Sequence, residues 1–88
     1  MGVYGQDIEQ VQKLATQLNS KAEEIQQVIS QLSSAISSVK WMGPDADRFR
    51  SDWSSQHTAK LKAVVSALQA ASQSAKKNAQ EQQQASAS

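Results

Sequence analysis

From Asp7 to Met42 the apolar residues fall into rows. Val11, Leu18, Ile25, Leu32 and Val39 stand seven apart without a miss. Ile8, Ala15, Ala22, Ile29 and Ile36 form a second row at the same interval. Leu14, Val28 and Ala35 form a third, broken by Lys21. Rows at these offsets lie side by side on one face of a helix. The positions between them are Gln, Lys, Glu, Asn and Ser, and no Gly or Pro intervenes. The pattern predicts one amphipathic helix over about 7–41, opened by Asp7 as N-cap with Gln10 three residues on as its capping-box partner. At 1.5 Å per residue it runs ~50 Å.

Gly43-Pro44 is the sharp break in the chain. Gly43 is expected to close the first helix in a left-handed conformation. Pro44 then blocks continuation and suits the first turn of a new helix. Asp45 and Asp47 would lie at that helix's positive end. The turn is thus placed at about 42–44 and a second helix at about 45–80. Its apolar row reads Ala46, Phe49, Trp53, His57, Leu61, Val64, Leu68, Ala71 and Ala75, widened by Val65 and Ala67. Trp41 is expected on the last turn of the first helix, covering the end of the core against Phe49 or a partner. Residues 1–6 read as a flexible lead-in. Residues 81–88, polar and without bulky apolar groups, read as a disordered tail.

The predicted fold is all-α: an antiparallel two-helix hairpin. An apolar face three positions in seven wide exceeds what one neighbouring helix covers. The uncovered strip predicts a binding face, and hence a hairpin that dimerises into a four-helix bundle. The residues assigned to that face are Val11, Leu18, Ile25, Ile29, Leu32, Ile36, Phe49, Trp53, Leu61, Val64 and Leu68.

Composition narrows the functions. The chain has 88 residues, no Cys and one His, with a formal net charge of +1. Disulfides and thiolate metal sites are thereby removed, and a chain this small draws extra stability from a partner. The balanced charge argues against nucleic-acid binding and against a polybasic membrane anchor. No apolar run reaches transmembrane length, so stable membrane insertion is not expected. The opening MGVYGQDIEQ lacks the layout of a cleavable signal peptide. Gln6 stands where a myristoylation motif requires Ser or Thr.

Candidate chemistry is sparse. His57 falls on the apolar row and reads as a seam histidine rather than a base or metal ligand, since no second ligand stands at suitable spacing. Asp45-Ala46-Asp47 starts like a calcium loop, but Phe49, Arg50 and Gln56 occupy the positions where oxygen ligands and Gly are required. The Lys and Arg residues are dispersed and read as solvated faces. No Gly-x-Ser-x-Gly turn or phosphate-cradling loop is present. The expectation is a protein with no catalytic residues, no cofactor and no metal.

The residues at the break carry a resemblance. Trp41-Met42-Gly43 at a predicted hairpin turn, followed by Ala46, Phe49 and Trp53 at helical spacing, resembles the WXG family of ESAT-like early secreted antigens, in its actinobacterial style. The resemblance covers about residues 7–80. It implies a helical hairpin that pairs with itself or with a related hairpin of the same type. It also implies export, folded and without a cleaved signal, by a type VII (ESX) secretion system. The protein would then be cytoplasmic before export and secreted or surface-bound after it. Trp41 and Gly43 match the turn motif that contributes to recognition by the machinery. Many exported members also carry a C-terminal Tyr-x-x-x-Asp/Glu signal. Here the single Tyr is Tyr4, and Glu81, the one acid after Asp52, has Lys77 four residues before it. Engagement through a signal-bearing partner, export by another route and retention in the cell all stay open, the first being the main expectation. The alternative is an intracellular adaptor or chaperone-like hairpin that binds a larger effector or toxin.

Overall fold

The computed structural model describes residues 7–87, and side chains as far as residue 85. The expected lead-in at 1–6 lies outside the described residues. Three α-helices build the fold: α1 (Ile8–Ser38), α2 (Pro44–Asp52) and α3 (Thr58–Ala87). A π-helical turn, Trp53–His57, joins α2 to α3. Asp52, Trp53 and Thr58 all keep right-handed helical backbone angles, so α2, the π turn and α3 form one rod. That rod packs against α1 as a helical hairpin 65 Å long and 16–17 Å across.

Asp7 opens α1 as expected, its Oδ1 accepting from the Gln10 backbone N–H at 3.1 Å. The end of α1 differs from expectation. The helix stops at Ser38, and Val39 is already extended at φ −78°, ψ 145°. Ser residues explain the early stop. Ser37 Oγ donates to the Ser34 carbonyl and Ser38 Oγ to the Ala35 carbonyl. Such hydroxyls compete with the backbone for helix hydrogen bonds. Trp41 therefore sits on an extended connection beyond the helix, not on its last turn. Gly43 does not close α1. It stands five residues after Ser38 as the N-cap of α2, with Pro44 in the first turn and Asp45 and Asp47 close behind.

The seam between the rods follows the seven-residue rows. On α1, Ala15, Ala22 and Ile29 are buried, with Ile8 and Ile36 half-buried at the ends of the same row. Val11, Leu18 and Ile25 flank them, half-buried. On α3 the buried row is Val65, Ser72 and Ala79, led by half-buried Thr58 and flanked by Leu61, Leu68 and Ala75. One bond fixes the register: Ser72 Oγ donates to the Ala15 carbonyl at 2.7 Å, fully inside the hairpin. That reach requires close helices, which small residues at the contact permit. Stepping seven residues in opposite directions from this pair brings Ala22 level with Val65 and Ile29 level with Thr58.

The expected row on the second helix is corrected here. It included His57, Val64 and Ala71, all of which are exposed, and it omitted Thr58 and Ser72. The π turn is the cause. Along the second rod the inward residues step from Ala46 to Arg50 to Trp53, then to Thr58, then to Leu61 and Val65. Four of these steps are three or four residues, as an α-helix requires. The step from Trp53 to Thr58 is five. A wider turn absorbs the extra residue, and the Thr58 N–H reaches back to the Trp53 carbonyl. Ser54 and Ser55 both donate their hydroxyls to the Ser51 carbonyl at the widening. Without the π turn, the extra residue would rotate α3 by about 100°.

The end of α3 also differs. Helix continues to Ala87, past the expected end near residue 80. Gln, Glu and Ala are good helix formers. Buried Ala79, level with Ile8 by the Ala15–Ser72 register, also holds the start of this stretch against α1.

Candidate functional site: the hairpin turn and the flanks of the rods

The connection between the rods is held from the second helix. Arg50 lies one turn after buried Ala46 and is itself half-buried. Its Nε donates to the Ile36 carbonyl at 3.0 Å, its Nη2 to Val39 at 3.1 Å and its Nη1 to Trp41 at 2.8 Å. One planar guanidinium thus satisfies carbonyls on both sides of the helix end. A charged donor with several N–H groups in fixed geometry suits this task, and Lys does not offer the same fork. The expectation that Arg50 belongs to a solvated face is corrected. The signal was present in the sequence: Arg50 stands four after Ala46 and three before Trp53, on the inward face.

Above this clamp runs an aromatic ladder. The Trp41 and Phe49 rings lie 5.9 Å apart, Phe49 and Trp53 6.3 Å, and Trp53 and His57 6.5 Å. The Arg50 guanidinium also sits 5.9 Å from the Trp41 ring. Trp41 does meet Phe49, as its position suggested. Trp53 turns its Nε1–H to Ser33 Oγ at 2.9 Å and ties α1 to the second rod. His57 is exposed, in the π turn, and is not a seam residue.

Gly43 has φ 117° and ψ 171°, a conformation that L side chains rarely adopt. A Cβ there would meet nothing within 4 Å. The requirement for Gly is therefore one of backbone conformation, not space. Its carbonyl accepts from the Asp47 N–H at 3.0 Å and so starts α2.

The residues assigned to a partner face divide. Ile29 is buried within the chain, and Val11, Leu18, Ile25, Ile36, Trp53, Leu61 and Leu68 are half-buried. They line the hairpin's own seam. Leu32, Phe49 and Val64 remain outward, at 44%, 37% and 46% exposure. Leu14, Val28, Val39 and Met42 are also exposed apolar groups. These residues make up the uncovered apolar surface, and Leu32 and Val39 among them continue the row of Val11, Leu18 and Ile25 beyond its half-buried part. The half-buried members of the regular rows are ones that the chain partly covers itself.

The two flanks of the hairpin differ in character. On one side α1 presents Gln12, Asn19, Gln26 and Ser33, and α3 presents Lys62, Gln69 and Lys76. Ser33 and Lys62 meet there at a cleft of ≈ 460 Å³ floored by Ile29, Ile36 and Trp53. In an antiparallel pair the remaining edges also share a side. There α1 presents Leu14, Lys21, Val28 and Leu32, and α3 presents Val64 and Ala71. The hairpin is thus polar along one flank and mainly apolar along the other, where Lys21 interrupts the row.

Among the described residues no group of three or more His, Asp or Glu is arranged to hold a metal ion. No described helix is long and apolar enough to cross a membrane. No protein-family model, curated protein or solved structure matches the chain.

Proposed function

We propose that this chain is a non-enzymatic helical hairpin of the WXG type. It acts as a dimer, as a substrate or co-substrate of a type VII secretion system. The observation that carries the reading is the setting of Trp41-Met42-Gly43. The motif lies on the extended connection of a helical hairpin, with Gly43 at positive φ and Trp41 exposed at 43%. Arg50 holds that connection through its backbone, leaving the outer face of Trp41 and the Met42 side chain, 85% exposed, free for recognition. The apolar flank supports pairing, because an exposed apolar strip along a narrow rod marks an interaction surface.

In this reading the partner is a second copy or a related hairpin, and a signal-bearing partner can engage the machinery. No cofactor, metal or nucleic acid takes part, and the protein works outside the cell or at its surface after export. The test is deletion of the secretion ATPase in the native host. The chain is expected to vanish from the culture filtrate and accumulate in the cells. Unchanged extracellular levels would remove type VII export from the reading.

A further inference from the structure

We propose that the cleft on the polar flank binds an amphipathic carboxylate, an apolar chain or ring that ends in one carboxylate group. Lys62 takes the carboxylate, and Ile29, Ile36 and Trp53 lie under the apolar part. The site goes beyond the reading above and does not rest on pairing, because it lies on the flank opposite the exposed Leu14, Val28 and Leu32.

The cleft stands where the π turn widens the second rod. Before the turn, Arg50 bonds Ile36 and Trp53 bonds Ser33, and both pairs belong to one register. Beyond it, the Ser72 bond to Ala15 sets a register one residue further on. The change is taken up between Trp53 and Thr58, and both residues line the cleft. Along α1 the lining runs from Ile29 to Ser37, about 12 Å at 1.5 Å per residue. The volume of ≈ 460 Å³ suits a small molecule, since such sites hold about 300–1,000 Å³. Ile29 at the floor is buried, and Ile36 and Trp53 are half-buried.

Charge selects the ligand's head group. Arg50 and Lys62 both line the cleft, and no Asp or Glu does. Among the described residues the one ion pair is Lys21 with Glu24, so neither cation of the cleft has a carboxylate partner. Arg50 is half-buried and spends three N–H groups on backbone carbonyls, which carry no net charge. A sheltered positive charge without a counterion favours an anion nearby.

The donors point the same way. Ser37, Ser54 and Thr58 give their hydroxyl protons to the carbonyls of Ser34, Ser51 and Ser54. Ser33 Oγ accepts from the Trp53 indole and keeps its own proton to give. Lys62 brings three N–H donors, and none is used within the described residues. Its stem can lie along the apolar wall while the ammonium stays at the mouth. One mobile cation beside one hydroxyl donor matches a singly charged group that only accepts, which is an ionised carboxylate.

Titration of the purified chain with decanoate, below its micelle concentration and followed by ¹H–¹⁵N NMR, tests the site. The Trp53 indole N–H bonds Ser33 at the cleft and reports occupancy, and Trp41→Phe assigns the two indole signals. Saturable shifts are expected at the Trp53 indole and at the amides of residues 29–37 and 54–62, with a dissociation constant below about 1 mM. Decyltrimethylammonium, with the same chain and the opposite charge, should bind at least about tenfold more weakly. Lys62→Glu should weaken decanoate at least about tenfold, and Lys62→Arg should hold it within about threefold. Lys62 is exposed, so the spectrum of either variant should keep the wild-type dispersion. Lys76→Glu, on the same flank but about 21 Å further along α3, should change the constant less than about threefold. Absence of saturable shifts overturns the site. Equal binding of decyltrimethylammonium, or indifference to Lys62→Glu, overturns the carboxylate as the group recognised. Shifts centred on Leu14, Val28 and Val64 would place the ligand on the other flank and overturn the cleft.

Discussion

Arg50→Ala removes the one side chain that spans the helix end. It deletes three hydrogen bonds to backbone carbonyls, at 3.0, 3.1 and 2.8 Å. A hydrogen bond contributes about 0.5–1.5 kcal/mol net, and those of a charged donor lie at or above the upper end when buried. Here only the bond to Ile36 is part-buried, while those to Val39 and Trp41 are exposed. Water can replace the exposed pair, so their share falls toward the lower figure. The sum is about 2–3 kcal/mol, to which loss of the cation–π contact with Trp41 adds about 0.5 kcal/mol. For a domain of this size each kcal/mol lowers Tm by about 4–8 °C, so the expected drop is roughly 10–28 °C. The assay is urea and thermal unfolding by circular dichroism at one fixed protomer concentration, because association shifts apparent stability. Arg50→Lys keeps the charge but cannot reach three carbonyls, and should lose more than half as much. Hydrogen exchange should quicken first near residues 36–43. If Arg50→Ala lies within about 0.5 kcal/mol of the wild type, the guanidinium does not hold the connection and the account of the turn fails.

Four further outcomes are expected. Deleting Ser55 should convert the π turn to α-helix and keep the seam in phase, leaving stability within about 1 kcal/mol of wild type, whereas deleting Gln69 from regular α3 should rotate the inward face of everything beyond it and cost several kcal/mol in the same urea titration. Ser72→Ala should cost about 1 kcal/mol through the lost bond to Ala15, but Ser72→Leu about 3 kcal/mol or more, because no space for it exists between close helices; equal effects in urea unfolding would contradict the packing. Trp41→Ala should lower stability by about 1–2 kcal/mol through lost contact with Phe49 and Arg50, and a folded variant that is no longer exported would assign Trp41 to recognition as well. Ile25→Asp sets a charge on the half-buried edge of the seam, and retention of full helicity and dimer mass would contradict its placement there.

How far the sequence showed the fold depends on the residue asked about. Ile8, Ala15, Ala22, Ile29 and Ile36 announce α1 because nothing interrupts a strict interval. The hairpin follows from Gly43-Pro44. The end of α1 was harder to see. Ser is a tolerable helix residue singly, and only Ser37 and Ser38 together bring two hydroxyls onto carbonyls of the last turn. Thr58 and Ser72 were hidden by the π turn, since a single five-residue step moves the inward row from 57, 64 and 71 to 58, 65 and 72. A row at 58, 65, 72 and 79 was readable, but two of its members are polar and none is larger than Val. Arg50 was hidden by its charge, although its spacing from Ala46 and Trp53 pointed inward. The uncovered flank was the least legible feature, because which apolar row a hairpin covers depends on register, and one bond from Ser72 sets that.

The dimer is the claim on which the proposed function depends. Native mass measurement of the chain as isolated from its own host tests it most directly. A complex of twice the 9.5 kDa chain mass is predicted. A particle of 9.5 kDa, folded and unaccompanied at micromolar concentration, would contradict it.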